Sequence, residues 1–300
     1  MRTIGGLIIA GLFLTGRESA GAQQVIGARG PFEWSGSLAA GGLVRINDEH
    51  GDIRISAATG DHISVHGTTR RHGRRGGELV FDVVPGSRSV TICARWSDDD
   101  PCTERGARES DRDDDGGSAS ADLVIELPKD LAIKAMTGNG VIAIMGTGTD
   151  VEASSGNGVV TIDGAKGRVD ANSGNGDVTV NNVGGPVGVN TGNGTVRVSA
   201  ANGPVRAESG NGDINVRMST LAGHESMEFT TGNGTVSVAM PANIAVDLDA
   251  DTGHGSIESD FQLTVTRGRL DPGHVHASIN GGGGRLRLSS GNGDLVLKKI

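Results

Sequence analysis

Three aspartates stand at one offset from a recurring glycine turn: Asp177, Asp213 and Asp294 each directly follow Gly-Asn-Gly. Carboxylates repeated along an outer face are what a polysaccharide hydrolase needs, an acid and a base or nucleophile about 5 to 10 Å apart in a cleft. In other copies, however, the same offset holds Val159 or Thr195. Interchange of that kind is how a surface position behaves, so no catalytic residue is assigned.

The imidazoles are sparse. His62, His66 and His72 lie close in sequence, and His274 and His276 share one strand face, so a surface metal site is conceivable. Isolated histidines on exposed strands are the plainer reading, and no metal ligand is assigned. His254 merely takes the place of a turn asparagine. Asp98, Asp99, Asp100, Asp111, Asp113, Asp114 and Asp115 offer the oxygens that calcium seeks, but without the Asp-x-Asp-x-Asp-Gly spacing of an EF-hand. A mobile acidic loop accounts for them. Calcium-binding nonapeptide repeats need Asp two residues after the last glycine, where this chain has Val178, Val196 or Ile214. No cofactor is expected.

Cys93 and Cys102 are the only cysteines. In an exported chain an even pair reads as a disulfide, worth about 2.5 to 3 kcal/mol for so short a loop in the chain-entropy description. Two free thiols are the alternative, and two sulfurs alone under-ligate a metal.

The element that positions these groups is a repeat. SGNGVVTI (155–162), SGNGDVTV (173–180), TGNGTVRV (191–198) and SGNGDINV (209–216) place Gly156, Gly174, Gly192 and Gly210 at intervals of 18 residues. The phrase recurs at 137–144, 231–238 and 290–297, with a variant at 252–259; around Gly232 and Gly253 the spacing stretches to 22 and 21. A fixed period of this size predicts a repeat architecture. Gly-Asn-Gly is a low-cost corner, because Gly and Asn tolerate positive φ. After it the chain alternates: Val178 and Val180 face one way, Asp177 and Thr179 the other. Before it, Val151 and Ala153, Val169 and Ala171, Val187 and Val189, and Val205 and Ala207 do the same. Each unit is therefore two half-buried strands and two corners.

Two all-β architectures fit. Asn-Gly between alternating runs is also a hairpin signal, so a long antiparallel meander competes. It would leave the apolar face of a very wide sheet uncovered, since no segment has helical periodicity. A parallel β-helix (β-solenoid) of about 18 to 22 residues per coil closes each coil on its own valines and stacks coils about 4.8 Å apart. Stacking then aligns Asn139, Asn157, Asn175, Asn193, Asn211, Asn233 and Asn292 into an amide ladder. One coil buries too little to offset its ordering entropy, so neighbouring coils must stabilise each other.

Residues 1–22 read as a cleaved signal peptide: Arg2, the apolar run Ile4 to Leu14, and Ala20-Gly21-Ala22. Residues 23–300 then form one β-solenoid domain, with degraded coils over 31–97, an acidic insertion over 98–121 and regular coils over 122–300. Phe32 and Trp34 are expected to cap the open end. TTRRHGRRGG (68–77) reads as a solvated basic loop facing the acidic tract, Pro128 and Pro241 mark corners, and Lys298 and Lys299 guard an exposed edge. The formal charge is −9; the leader's Arg2, Arg17 and Glu18 carry a net +1, leaving −10. Such an acidic chain disfavours nucleic acid and anionic lipid. With no Tyr, two Trp and five Phe it has few stacking platforms. No later stretch is a transmembrane helix, and the oligomeric state is open.

Gly-Asn-Gly-x-Val-x-Val, the Leu127-Pro128 corner and the closing GGGGRLRLSSGNGDLVLKK resemble a bacterial candidate-adhesin family, a domain of unknown function similar to proposed head domains of autotransporter adhesins. The resemblance runs from Phe32 to Lys299. It implies a right-handed β-helical body in the cell envelope, with some relatives tied to envelope-stress signalling, and it brings no catalytic residues. Three functional classes follow: a noncatalytic exported envelope protein that binds another protein or a surface polymer, a structural or stress-sensing periplasmic component, and a polysaccharide-active enzyme. The first is the principal expectation, located in the periplasm, at the cell surface or outside the cell.

Overall fold

The computed structural model describes residues 24–71, 78–96, 101–106, 119–218, 225–271 and 273–300. The expected signal peptide, most of the basic loop and most of the acidic insertion, with all seven of its aspartates named above, lie outside them. The described residues form two long sheets, of 14 and 12 strands, without a helix.

Each repeat contributes one strand to each sheet. Val169–Asn175 and Val178–Val183 are the two strands of one unit, separated by the corner. Val169, Ala171, Val178 and Val180 are buried, and Asp170 and Thr179 point outward. Neighbouring units pair parallel: Val151 lies beside Val169, Val169 beside Val187 and Val187 beside Val205 in the first sheet. Val160, Val178, Val196 and Ile214 follow one another in the second. The partners in this stretch are 18 residues apart, so the sequence period is the stacking period. Buried residues of both sheets form one hydrophobic cluster, from Phe32 to Leu297. A β-solenoid-like body replaces the meander here because parallel stacking lets two inner faces cover each other.

Antiparallel pairing appears only towards the two ends. Within 31–97, the strands Leu43–His50 and Ile53–Ala57 belong to the parallel stack, and they pair directly with Ala132–Asn139 and Ile142–Met145. The intervening chain leaves and returns. His62–Arg71 and Ala119–Leu127 extend the second sheet as an antiparallel pair; Leu79–Pro85 and Ser89–Trp96 do so in the first. The reading of 31–97 as a series of degraded coils is thus corrected: one coil is followed by antiparallel strand pairs that cover its open side. Val25–Ala28 and Phe32–Ser37 close the two sheets. Phe32 and Trp34 are nearly buried, and the Phe32 ring stacks on Phe81 at 4.9 Å between centroids.

At the other end, the coil written last is not placed last. Gly284–Asn292 lies between Met227–Asn233 and Val246–His254, and Leu295–Lys299 lies between Val236–Met240 and Ile257–Ser259. Lys298 and Lys299 are therefore the last residues of an interior strand, contrary to the expectation of an exposed edge, and the Lys299 ammonium sits 5.2 Å from the Phe261 ring centre. The edges are Thr264–Asp271, the outer strand of a hairpin with His274–Ile279, and the three-residue Ile257–Ser259. A very short edge strand offers little backbone for unwanted pairing. Among the described residues no helix is long and apolar enough to cross a membrane.

The corners explain why glycine recurs. A Cβ on Gly212 would lie 2.1 Å from the Gly194 carbonyl oxygen, and its φ of 148° is one that L-residues rarely adopt. Gly212→Ala should therefore destabilise the fold by about 3 kcal/mol or more, whereas Asn215→Ala, exposed three residues on, should stay within about 0.5 kcal/mol. Urea unfolding of the two variants measures the difference.

Candidate functional site

The feature that the sequence repeats most strictly is the corner, and its hydroxyl residue and its asparagine each bond between coils. The hydroxyl residue is buried. Ser155 donates to the Gly140 carbonyl, Ser173 to Gly158, Thr191 to Gly176 and Ser209 to Gly194, at 2.8–3.0 Å. Thr137, Thr231, Ser290 and Thr252 repeat the bond in their own coils. The first glycine then passes close over the carbonyl of its counterpart below: a Cβ on Gly174 would meet the Gly156 oxygen at 2.3 Å.

The asparagines face outward and bond to one another. Asn157 Nδ2 donates to Asn139 Oδ1, and Asn175, Asn193, Asn211, Asn233 and Asn292 continue the column, each donating to the one before at 2.7–2.8 Å. Seven amides thus form an exposed chain of six hydrogen bonds. A histidine lies in register at each end: His50 beside Asn139, and His254 beside Asn292.

The aspartates after the corner also bond between coils. Asp177 Oδ1 accepts the Thr195 amide, Asp213 that of Thr235 and Asp294 that of Ser256, all at 2.8 Å; Asp52 accepts that of Val141 at 2.9 Å. The order of stacking separates these three: Val159, Asp177, Thr195, Asp213, Thr235, Asp294, Ser256. Like charges one strand spacing apart repel, and each of these aspartates instead uses the backbone of an uncharged neighbour. The backbone bond from Thr195, with help from Arg197, holds the Asp177 carboxyl below its usual range, and the Ser256 bonds do the same for Asp294. Their contribution to stability is present above about pH 4 and is lost as pH falls through the lowered values. An acid catalyst needs the opposite shift.

Other candidates fall as follows. Cys93 and Cys102 are joined in a disulfide, with Cα atoms 6.2 Å apart. Next to it, the buried Asp82 carboxylate accepts the Arg95 guanidinium at 2.6 Å, the Cys102 amide at 2.9 Å and the Gly27 amide at 2.6 Å. One buried charge therefore ties the first strand and the disulfide loop to the hairpin. His66 lies 3.7 Å from Glu33 and His62 3.3 Å from Asp61, so the structure does not bring those two imidazoles to one point; His72 lies outside the described residues. His274 and His276 do meet. Ala57 to Asp61 and Pro128 to Asp130 line an open groove of about 660 Å³.

Asp48 carries a perturbation that the sequence reading did not single out. It occupies the corner-hydroxyl position, in register with Thr137, yet it is a carboxyl, and its Oδ2 is buried without a hydrogen bond. Burial pushes its pKa well above the usual carboxylate range, and Asp122, Glu49 and Asp52 push it the same way.

A family model described as Toastrack DUF4097 matches residues 42–298, from the start of the first parallel coil to the last strand. The chain belongs to the Toastrack family. No curated protein matches it. Among solved structures, this Toastrack chain is similar to a candidate adhesin from Bacteroides fragilis (11% identity, TM-score 0.40, covering 91% of this chain and 98% of that one). A candidate adhesin from Parabacteroides merdae gives 12% identity and a TM-score of 0.40, covering 91% and 96%. A candidate cell adhesion protein from Clostridium sporogenes gives 12% and 0.29, covering 90% and 100%.

Two measurements probe the Toastrack corner. Asn193→Ala removes a donor and an acceptor from the middle of the amide column and should cost about 1–2 kcal/mol. Asp48→Thr restores the hydroxyl of the other coils. The folded chain keeps a proton on Asp48 that the unfolded chain releases near 3.8, so wild-type stability falls as pH rises from there through the raised value. The variant should be more stable at pH 7, by about 1–3 kcal/mol, and its stability should depend less on pH between 4 and 7.

Proposed function

We propose that this chain is an exported, noncatalytic adhesin-like protein of the cell envelope. In this reading it is a right-handed parallel winding of about 18 to 22 residues per coil, and its outer wall binds or scaffolds another envelope protein or a surface polymer. The observation that carries the reading is how the outward residues are used. The asparagines bond to each other, the corner aspartates bond to the backbone, and charges pair between coils, as in Lys134–Glu152 at 2.7 Å and Arg206–Glu228 at 3.3 Å. Carboxyls whose pKa the backbone lowers, as at Asp177 and Asp294, suit a surface better than an acid catalyst. The wall that results repeats at a fixed interval and suits an extended partner, which meets the same groups at each step.

Export is supported by the apolar leader over residues 1–22 and by the Cys93–Cys102 disulfide, which favours an oxidising compartment. The chain's charge of −9 favours a partner other than nucleic acid.

A photocrosslinking residue at Thr179, outward on the second sheet, tests the reading in intact envelopes. The expected result is a saturable crosslink to one envelope component, competed by unlabelled protein and lost when Thr161, Thr179 and Arg197 are all replaced by Glu. Crosslinks that never saturate would remove the binding role, and release of soluble fragments from an envelope polymer would make the protein an enzyme.

A further inference from the structure

The hairpin beyond the terminal coil brings two aspartate–histidine pairs together. His274–Ile279 runs antiparallel to Val246–His254, with His276 directly opposite Asp249 and His274 opposite Asp251. His274 Nδ1 lies 2.9 Å from Asp251 Oδ2, and His276 Nδ1 lies 3.1 Å from Asp249 Oδ1. The two remaining ring nitrogens converge: His274 Nε2 and His276 Nε2 are 2.8 Å apart, with the rings edge to face.

The chemistry of this arrangement is restrictive. An ionised carboxylate only accepts hydrogen bonds, so each Nδ1 carries a proton. A neutral imidazole with its proton on Nδ1 presents a bare lone pair at Nε2, and here two such lone pairs point at each other. That geometry is repulsive unless a positive charge sits between them.

We propose that His274 and His276 bind one divalent transition-metal ion of the copper, nickel or zinc class through their Nε2 atoms. Metal-ligating histidines commonly donate the other ring N–H to a carboxylate, which fixes the tautomer and raises ligand basicity, and both rings do so here. Two nitrogens bound to one tetrahedral ion at about 2.0–2.1 Å each lie roughly 3.3 Å apart, so small ring rotations admit it. The side chains of His274 and His276 are 46% and 35% exposed, which leaves the ion's outer positions to water. Among the described residues no three His, Cys, Asp or Glu side chains form a metal-holding group, so the site has two protein ligands. Arg287 is in register with Asp249 on the far side and lies 3.8 Å from Glu228, which draws its charge away from the pair. The inference is independent of the envelope-binding role.

Calorimetric titration of the EDTA-treated full chain with CuCl₂, NiCl₂ and ZnCl₂ in separate runs tests it. The expected result is one ion per chain, tightest for copper. His276→Gln should abolish this saturable site, although six other histidines remain outside the pair. Asp249→Asn and Asp251→Asn should each weaken binding about 10–100-fold while leaving the urea midpoint near wild type. Binding that survives His276→Gln unchanged would overturn the proposal. So would a pair that holds only a proton, seen as imidazolium nitrogen shifts at neutral pH that zinc does not alter.

Discussion

Everything in this molecule depends on how closely one backbone can lie over another at the corners. The counterpart glycines of successive coils approach until a single added carbon would collide with a carbonyl. A Cβ on Gly158 would fall 1.9 Å from the Gly140 oxygen, and one on Gly156 would fall 2.5 Å from Gly138. That proximity lets the corner hydroxyls reach the carbonyls below and brings the asparagine amides into contact. Strands on both sides of the turn then keep parallel register, and the valines meet inside. Glycine is usually a source of looseness; here its bareness is what permits contact.

The corner and the alternating strands could be read from the residues alone. Period-two alternation about Val178 and Val180 marked the buried face, and the common offset of the asparagines implied their alignment. The roles of the hydroxyl and of the corner aspartate were harder to see. Ser173 and Thr191 look like ordinary turn residues, and their bonds run to a glycine 15 positions away. The interchange of Asp, Val and Thr after the turn suggested indifference, whereas the stacking order shows a rule: each of Asp177, Asp213 and Asp294 sits beside an uncharged neighbour whose amide it accepts.

The ends were less legible, and for a physical reason. A coil with a neighbour on each side is constrained by the repeat, but a terminal coil must cover its apolar face with whatever chain is at hand. At one end that cover is an antiparallel pair of strands distant in sequence and a hairpin held by the buried Asp82–Arg95 pair and the disulfide; at the other it is the hairpin carrying His274 and His276. Cover strands need only an apolar side and a reach, so they follow no period. Asp48 belongs to this boundary as well, since it faces the first place where the repeat's own acceptor is missing and a strand from elsewhere stands in.

The position of the final coil has a consequence for how the protein is made. Residues 284–297 are synthesised after residues 246–259, yet they fill a slot between that layer and the one at 227–240. The layer at 246–259 therefore cannot take its final place until residues 284–297 have been made, because they lie between it and the rest of the stack. Assembly from one end to the other in the order of translation is ruled out for this part. The coil at 284–297 acts instead as a closing wedge, and a chain lacking it would leave its outermost apolar layer with nothing to rest on.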